Sequence, residues 1–245
     1  MKMMLLVLYR VYQVVIMIPL IVVLTILTGL VTIIGSFVGG GRVWGYWPPH
    51  IWSKLCMWLT LVNVKVKGRE NIKEKTSYVF VANHQGAYDI FTVYGFLHHN
   101  FKWMMKIGLR KFPVIGVSCQ AAGHIFVDNS SPAAIRRTMA KAEKTLRDGM
   151  SVVVFPEGSR SRSGRMGKFH TGAFQLAMEF QLPVVPLTID GAYDILPRGQ
   201  WLPHWGTVIL TIHKPIAPPA DEADRRRVSD LSAEAIRSAL PERYR

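Results

Sequence analysis

The chain has 245 residues, 49% of them hydrophobic and 19% charged, with 30 Lys and Arg against 16 Asp and Glu, a formal net charge of +14. This excludes a collagen, a disordered tail and a disulfide-stapled mini-protein, and the length suits one α/β domain with an appendage better than two full domains. A basic excess of this size implies an anionic partner: nucleic acid, an acidic lipid surface or an anionic substrate. Cys56 and Cys119 have no C-x-x-C or Cys/His zinc spacing and read as buried free thiols, as in a reducing compartment.

No charged residue lies between Arg10 and Arg42, and Val11 to Val38 is almost wholly aliphatic. As a helix this stretch would be roughly 40 Å long, enough to cross a hydrocarbon core of about 30 Å. A cleaved signal peptide has a shorter apolar region and an A-x-A-like site, whereas the first alanine here is Ala82. The segment is therefore expected to be retained and membrane-embedded. Both flanks are basic, Lys2 and Arg10 before it and Arg42, Lys54, Lys65 and Lys67 after it, so the positive-inside tendency picks no orientation for a single span. Trp44, Trp47, Trp52 and Trp58 follow the Gly39-Gly40-Gly41 break, and Pro48-Pro49 starts a short helix read from His50 to Leu61. A helical pair that enters one leaflet and returns would keep both basic flanks on one face, with the indoles at headgroup level. One tilted span followed by an interfacial helix is the competing arrangement. Residues 1–61 are thus expected to form a membrane anchor and 62–245 an αβ domain.

After Val62 short β-branched runs alternate with helical stretches. Strands are predicted at Val62–Val66, Tyr78–Ala82, Phe101–Met105, Ile125–Val127, Ser151–Phe155, Val184–Ile189 and Thr207–Ile212. They suggest an α/β fold: a central mixed sheet of about seven strands covered by helices, preceded by the N-terminal membrane-embedded helical segment. After Ser130-Ser131-Pro132 a helix places Ile135, Met139, Ala142 and Leu146 on one face and stops at Gly149; its basic residues read as a solvated face. A last helix is predicted over Asp221–Leu240.

Two constellations carry chemistry, each after an apolar strand. Asn83-His84-Gln85-Gly86-Ala87-Tyr88-Asp89 follows Tyr78–Ala82. Asp89, in the first turn of the next helix, can fix the His84 tautomer, so that the other ring nitrogen takes a proton from a hydroxyl. No serine or cysteine has a claim as nucleophile, which leaves the attacking group to the substrate. Phe155-Pro156-Glu157-Gly158-Ser159-Arg160, followed by Arg162, Arg165 and Lys168, presents backbone amides and guanidinium groups suited to a phosphate. Arg162 reads as part of a mobile solvated loop. Lys106, after Phe101–Met105, offers another cation at the same sheet edge. There is no Walker loop, zinc-protease helix, G-x-S-x-G elbow or Rossmann fingerprint.

Taken together, N-H-x-x-x-x-D at Asn83–Asp89, K-x-x-L at Lys106–Leu109, G-x-I-F-x-D at Gly123–Asp128, F-P-E-G-S-R at Phe155–Arg160 and V-P-L at Val185–Leu187 resemble the glycerolipid acyltransferase family, most closely its bacterial 1-acylglycerol-3-phosphate acyltransferases. The resemblance covers Val62 to about Lys214 and extends to the N-terminal membrane helices. It implies transfer of a fatty acyl group from a thioester of coenzyme A or acyl carrier protein to a lysolipid hydroxyl, giving phosphatidate at the bacterial cytoplasmic membrane, with the catalytic domain facing the cytoplasm. It makes His84 the general base and Asp89 its orienting partner. Glu157, Gly158, Ser159 and Arg160 shape the acceptor site, and Lys106 with Arg160 holds the phosphate. Amides near Lys106 or at the Gly158 turn are the candidate oxyanion donors. No cofactor, metal or covalent enzyme intermediate is implied. Three positions depart from the family pattern: Asn129 where an arginine is usual, His170 where a lysine is common, and Gly86 in place of a serine or similar residue. Another lysolipid or an amino-acyl lipid is the alternative acceptor, and a basic membrane-binding module the non-enzymatic alternative. Nucleic-acid binding is not expected, because the basic residues are not interleaved with aromatics on a soluble surface.

Overall fold

The computed structural model describes residues 2–245. It opens with one apolar helix: α1 (Lys2–Tyr12) runs through a π-helical turn, Gln13–Met17, into α2 (Ile18–Gly39). The 37 residues from Met3 to Gly39 are long and apolar enough to cross a membrane, and most of their side chains are exposed. Gly40, at a φ of 81°, ends the helix, and the chain folds back into α3 (Trp47–Leu59). This helix begins three residues before the expected His50, because Pro48 and Pro49 sit in its first turn, where no amide donor is needed.

The contacts of α3 make an antiparallel pair. Trp44 lies against Gly35 and Gly39, the Trp52 indole donates to Thr25 Oγ1 at 3.0 Å, and the Tyr12 and Tyr9 hydroxyls each donate at 2.9 Å to the carbonyls of Leu59 and Thr60. Both ends of the long helix are held by the rest of the chain. At its start, buried Gln13 and Arg10 both donate to the Pro203 carbonyl, at 2.7 and 3.0 Å. Beyond its end, the buried Lys102 ammonium donates to the Gly41 carbonyl at 2.6 Å, and Asn100 donates to that of Arg42 at 2.9 Å. The long helix therefore lies alongside the domain rather than projecting from it.

The remaining elements are β1 (Val62–Lys67), β2 (Val79–Ala82), α4 (Tyr88–Phe96), β3 (Phe101–Lys106), α5 (Ile115–Ala121), β4 (Ile125–Val127), α6 (Pro132–Arg147), β5 (Ser151–Val154), α7 (Gly172–Glu179), β6 (Val184–Asp190), α8 (Ala192–Ile195), β7 (Gly206–Ile212) and α9 (Glu222–Ser238). The strands form one seven-stranded sheet in the order β1-β7-β6-β2-β5-β3-β4, parallel throughout except at the β6/β7 pair. This is the mixed sheet expected, and the strand ends fall within a residue of their predicted positions. Period-two alternation fills both faces. Phe80, Ala82, Val153 and Val185 pack with Met57 of α3 and Val93 of α4, while Val79, Val81, Val152 and Val184 pack with Leu146 of α6, Phe174 of α7 and Val228 of α9.

One helix face is rotated from the reading above. In α6 the buried stripe is Ala134, Thr138, Ala142 and Leu146, and Ile135 is exposed. The small residues Ala134 and Thr138 let the helix approach β4 closely, and the Thr138 hydroxyl accepts the Asp128 amide at 3.2 Å.

Close backbone approach also governs the helical turn. A Cβ at Gly45 would stand 2.7 Å from the Ala122 carbonyl oxygen, whereas one at Gly108 would meet nothing within 4 Å. Gly45→Ala is expected to destabilise the protein by about 1–3 kcal/mol and Gly108→Ala by much less. Thermal unfolding of the two variants in detergent checks this, and equal melting temperatures would mean that the turn is not held against Ala122.

Candidate active site

The chain leaves β2 through α4 on one face of the sheet and leaves neighbouring β5 through α7 on the other. The crevice between the two strand ends is a topological switch point, where strand-end loops converge. Both motifs stand there. Asn83 clamps the base of the first loop to β6, its side chain donating to the Ile189 carbonyl and accepting the Ile189 amide, both at 2.8 Å.

His84 and Asp89 meet as the spacing suggested. His84 Nδ1 lies 2.7 Å from Asp89 Oδ2, and the same oxygen accepts the amides of Gln85 at 2.7 Å and Gly86 at 2.8 Å. Asp89 is fully buried in the first turn of α4, whereas the His84 side chain is 15% exposed. Oδ2 already accepts two backbone amides, so it acts as acceptor toward Nδ1 as well, which places the ring proton on Nδ1 and leaves the lone pair on Nε2. The imidazole stacks on Phe155, ring centroids 3.9 Å apart, and Phe155 stacks in turn on Trp103 at 5.3 Å. Gly86 belongs to this packing: a Cβ there would sit 2.8 Å from the Ala192 carbonyl oxygen and 3.0 Å from that of Leu196, so the approach of α8 requires glycine where the resemblance suggested serine.

Glu157 joins the two loops. Its Oε1 accepts the His84 amide and its Oε2 the Gly167 amide, each at 2.7 Å, while the Ser161 amide donates to the His84 carbonyl at 2.8 Å. Burial pushes the Glu157 carboxyl above its usual range, opposed by those two amide donors. Gly158 turns at a φ of 70°, and its amide is committed to the Phe155 carbonyl at 3.0 Å. His170 lies beside this turn: it donates its amide to the Pro156 carbonyl at 2.8 Å, and its ring would touch a Cβ at Gly158.

A cavity of about 350 Å³ opens beside Glu157, lined by Ser159, Arg160, Arg162, Arg165, Lys168 and Arg198 among others. Arg162 lines the same space as Arg160 and is exposed in its loop, as the sequence suggested. Lys106 is exposed at the end of β3, two strands from β2, and does not line this cavity. Two contributors escaped the sequence reading. Arg198 comes from the β6–β7 connection and donates to the Arg160 carbonyl at 3.3 Å; Gln85 donates to the Gly164 carbonyl at 2.9 Å and closes the loop over the strand ends. Neither position carries a local signal, since each acts through a backbone carbonyl of a distant segment.

A family model described as Acyltransferase matches residues 63–190, a little over half of the chain. A 1-acyl-sn-glycerol-3-phosphate acyltransferase of Pseudomonas aeruginosa is 31% identical over 189 residues, covering 75% of this chain and 72% of that protein. A chloroplastic protein of the same name from Arabidopsis thaliana is 33% identical over 168 residues, 68% of this chain and 47% of its own length; the chain spans about half the length of such chloroplastic relatives. The crystal structure of the 1-acyl-sn-glycerophosphate acyltransferase of Thermotoga maritima superposes with a TM-score of 0.79 at 26% identity, over 97% of each chain. The matched region runs from the first strand through both strand-end loops to the end of β6, and the sheet that positions those loops is shared with the Thermotoga enzyme: the chain belongs to the Acyltransferase family.

Proposed function

We propose that this chain transfers a fatty acyl group from a thioester to the sn-2 hydroxyl of 1-acylglycerol-3-phosphate, giving phosphatidate. The observation that carries the reading is the His84–Asp89 pair, 2.7 Å apart, beside a cavity lined by five cationic side chains, Arg160, Arg162, Arg165, Lys168 and Arg198. The names of the relatives support the same choice. His84 Nε2 takes the hydroxyl proton as the oxygen attacks the thioester carbonyl. The C–S bond then breaks, and the imidazolium, stabilised by Asp89, returns the proton to the departing thiolate. The Arg160 cavity holds the acceptor phosphate, with Glu157 keeping the two loops in register, and Lys106 adds a cation at the neighbouring strand end. The acyl carrier is coenzyme A or acyl carrier protein, and no cofactor takes part. Asn129, standing where an arginine is usual, favours a second reading in which the acceptor is another lysolipid.

His84→Ala is expected to lower acyl transfer by about 10² to 10⁴ while leaving membrane association intact. Asp89→Asn is expected to be severe as well, because an amide places donors against the Gln85 and Gly86 amides and favours the wrong tautomer. Purified variants assayed with labelled acyl thioester and a lysolipid panel supply the test, and near-native turnover by His84→Ala would refute the role.

For the acceptor, Arg160→Ala is expected to raise the KM for lysophosphatidate and to lower kcat, through a misaligned hydroxyl, with incomplete rescue by Arg160→Lys. Equal losses on an uncharged lysolipid would show that Arg160 supports the loop and reads no phosphate.

Residues 1–61 serve as the membrane anchor of the catalytic domain 62–245, and both lie at the cytoplasmic face. The antiparallel pairing of α3 with the long helix supports an entry and return through one leaflet, with basic flanks on one side. Full extraction of a lipid acceptor into water would cost about 0.8 kcal/mol per CH₂, so an embedded element beside the crevice is favoured on energetic grounds. Single cysteines replacing Met3 and Ser163 are expected to label from the same side of sealed vesicles, and labelling from opposite sides would establish a true span.

A further inference from the structure

A second cavity, of about 330 Å³, opens at the opposite edge of the sheet from β1, between the turn after β3, the end of β4 and the first half of α6. Arg110, Arg137 and Lys141 line it, with Asp128 as the one carboxylate among the described residues. Lys141 is held in place: its ammonium donates to the His124 carbonyl at 2.7 Å and stands 5.9 Å over the Phe126 ring. Burial, and after it the charge of Arg110, pushes the Lys141 pKa down. Asp128 already accepts the Ser130 amide at 3.0 Å, and the nearby cation that acts on its carboxylate is Arg137. Arg110 and Lys141 thus both line the cavity and neither has a salt bridge to a carboxylate among the described residues, so an anion bound there would be attracted by both.

The wall after β3 indicates which anion. Ile107, Leu109, Phe112, Ile115 and Val117 are all exposed there. This segment packs on the long apolar helix so closely that a Cβ at Gly29 would stand 2.4 Å from Val114 Cγ1. The exposed side chains therefore continue the apolar surface of the helical pair, with Arg110 and Lys111 among them. Membrane insertion of the helical pair would place a cationic cavity bordered by such a surface at headgroup depth.

We propose that this cavity binds the phosphate of an anionic phospholipid headgroup, as a lipid site separate from the Arg160 cavity. A soluble phosphate compound offers the same charge. The lipid is favoured because its chains can lie along Phe112, Ile115 and Val117 while its phosphate sits between Arg110 and Lys141. The proposal rests on membrane association of the helical pair and is independent of the catalytic reading.

The test uses the full chain with vesicles of phosphatidylcholine alone or mixed with phosphatidylglycerol. An environment-sensitive dye on Gln120→Cys, at the cavity wall and in a Cys119→Ser background, is expected to respond only to the mixed vesicles. The double variant Arg110→Gln/Lys141→Gln is expected to lose about tenfold in the phosphatidylglycerol-dependent gain in binding, while Arg226→Gln/Arg237→Gln, on the exposed side of α9, keeps it. Equal losses in the two double variants would reduce the effect to diffuse charge and overturn the site. A dye response to inorganic phosphate or coenzyme A without vesicles would reassign the cavity to a soluble ligand. Binding to both vesicle types with no phosphatidylglycerol-dependent gain would overturn the headgroup site alone, whereas failure to bind any vesicle would overturn the membrane association beneath it.

Discussion

Asp89 Oδ2 accepts three N–H donors, the His84 ring and the amides of Gln85 and Gly86, and this convergence sets the geometry of the crevice. The two amides belong to the loop that leads into α4, so the oxygen that holds this loop also selects the imidazole tautomer. A buried carboxylate is costly without such partners, and here they come from the loop before α4 and from the one side chain that it orients. Its other oxygen, Oδ1, is buried and finds no partner among the described residues, which concentrates the interaction on Oδ2.

The second loop is tied to the first by one side-chain carboxylate that accepts backbone amides and by one backbone–backbone bond. Glu157 receives one amide from each loop, and the Ser161 amide returns to the His84 carbonyl. The adjacency of β2 and β5 brings these segments together across some seventy residues of sequence, with the connections leaving on opposite faces. The Phe155 ring completes the arrangement by stacking on the imidazole, which restricts its rotation and shields the Nδ1–Oδ2 bond from water.

The helical pair depends on the same economy of backbone contacts. Carbonyls of Gly41, Arg42 and Gly45 in its turn accept from Lys102, Asn100 and Tyr94 of the domain, and the opposite end is held through Pro203, Leu59 and Thr60. An apolar element fixed at both ends keeps a constant relation to the crevice, which suits the proposed chemistry on a substrate whose chains stay in the leaflet.

The sequence by itself determined the apolar segment, the seven strands and the two loops that follow β2 and β5, because hydrophobic period and chain punctuation are local properties. The spacing of His84 and Asp89 allowed their pairing as well, since five residues across a strand end and a first helical turn can bring them within hydrogen-bonding reach. Tertiary structure alone decided the strand order, the entry of Arg162 and Arg198 into the Arg160 cavity, the need for glycine at positions 45 and 86, and the rotation of α6 that exposes Ile135. Each of these depends on which backbone carbonyl or side chain from a distant segment arrives within a few ångströms. A carbonyl is the same group at every residue, so no residue type or spacing in the chain announces which one will arrive.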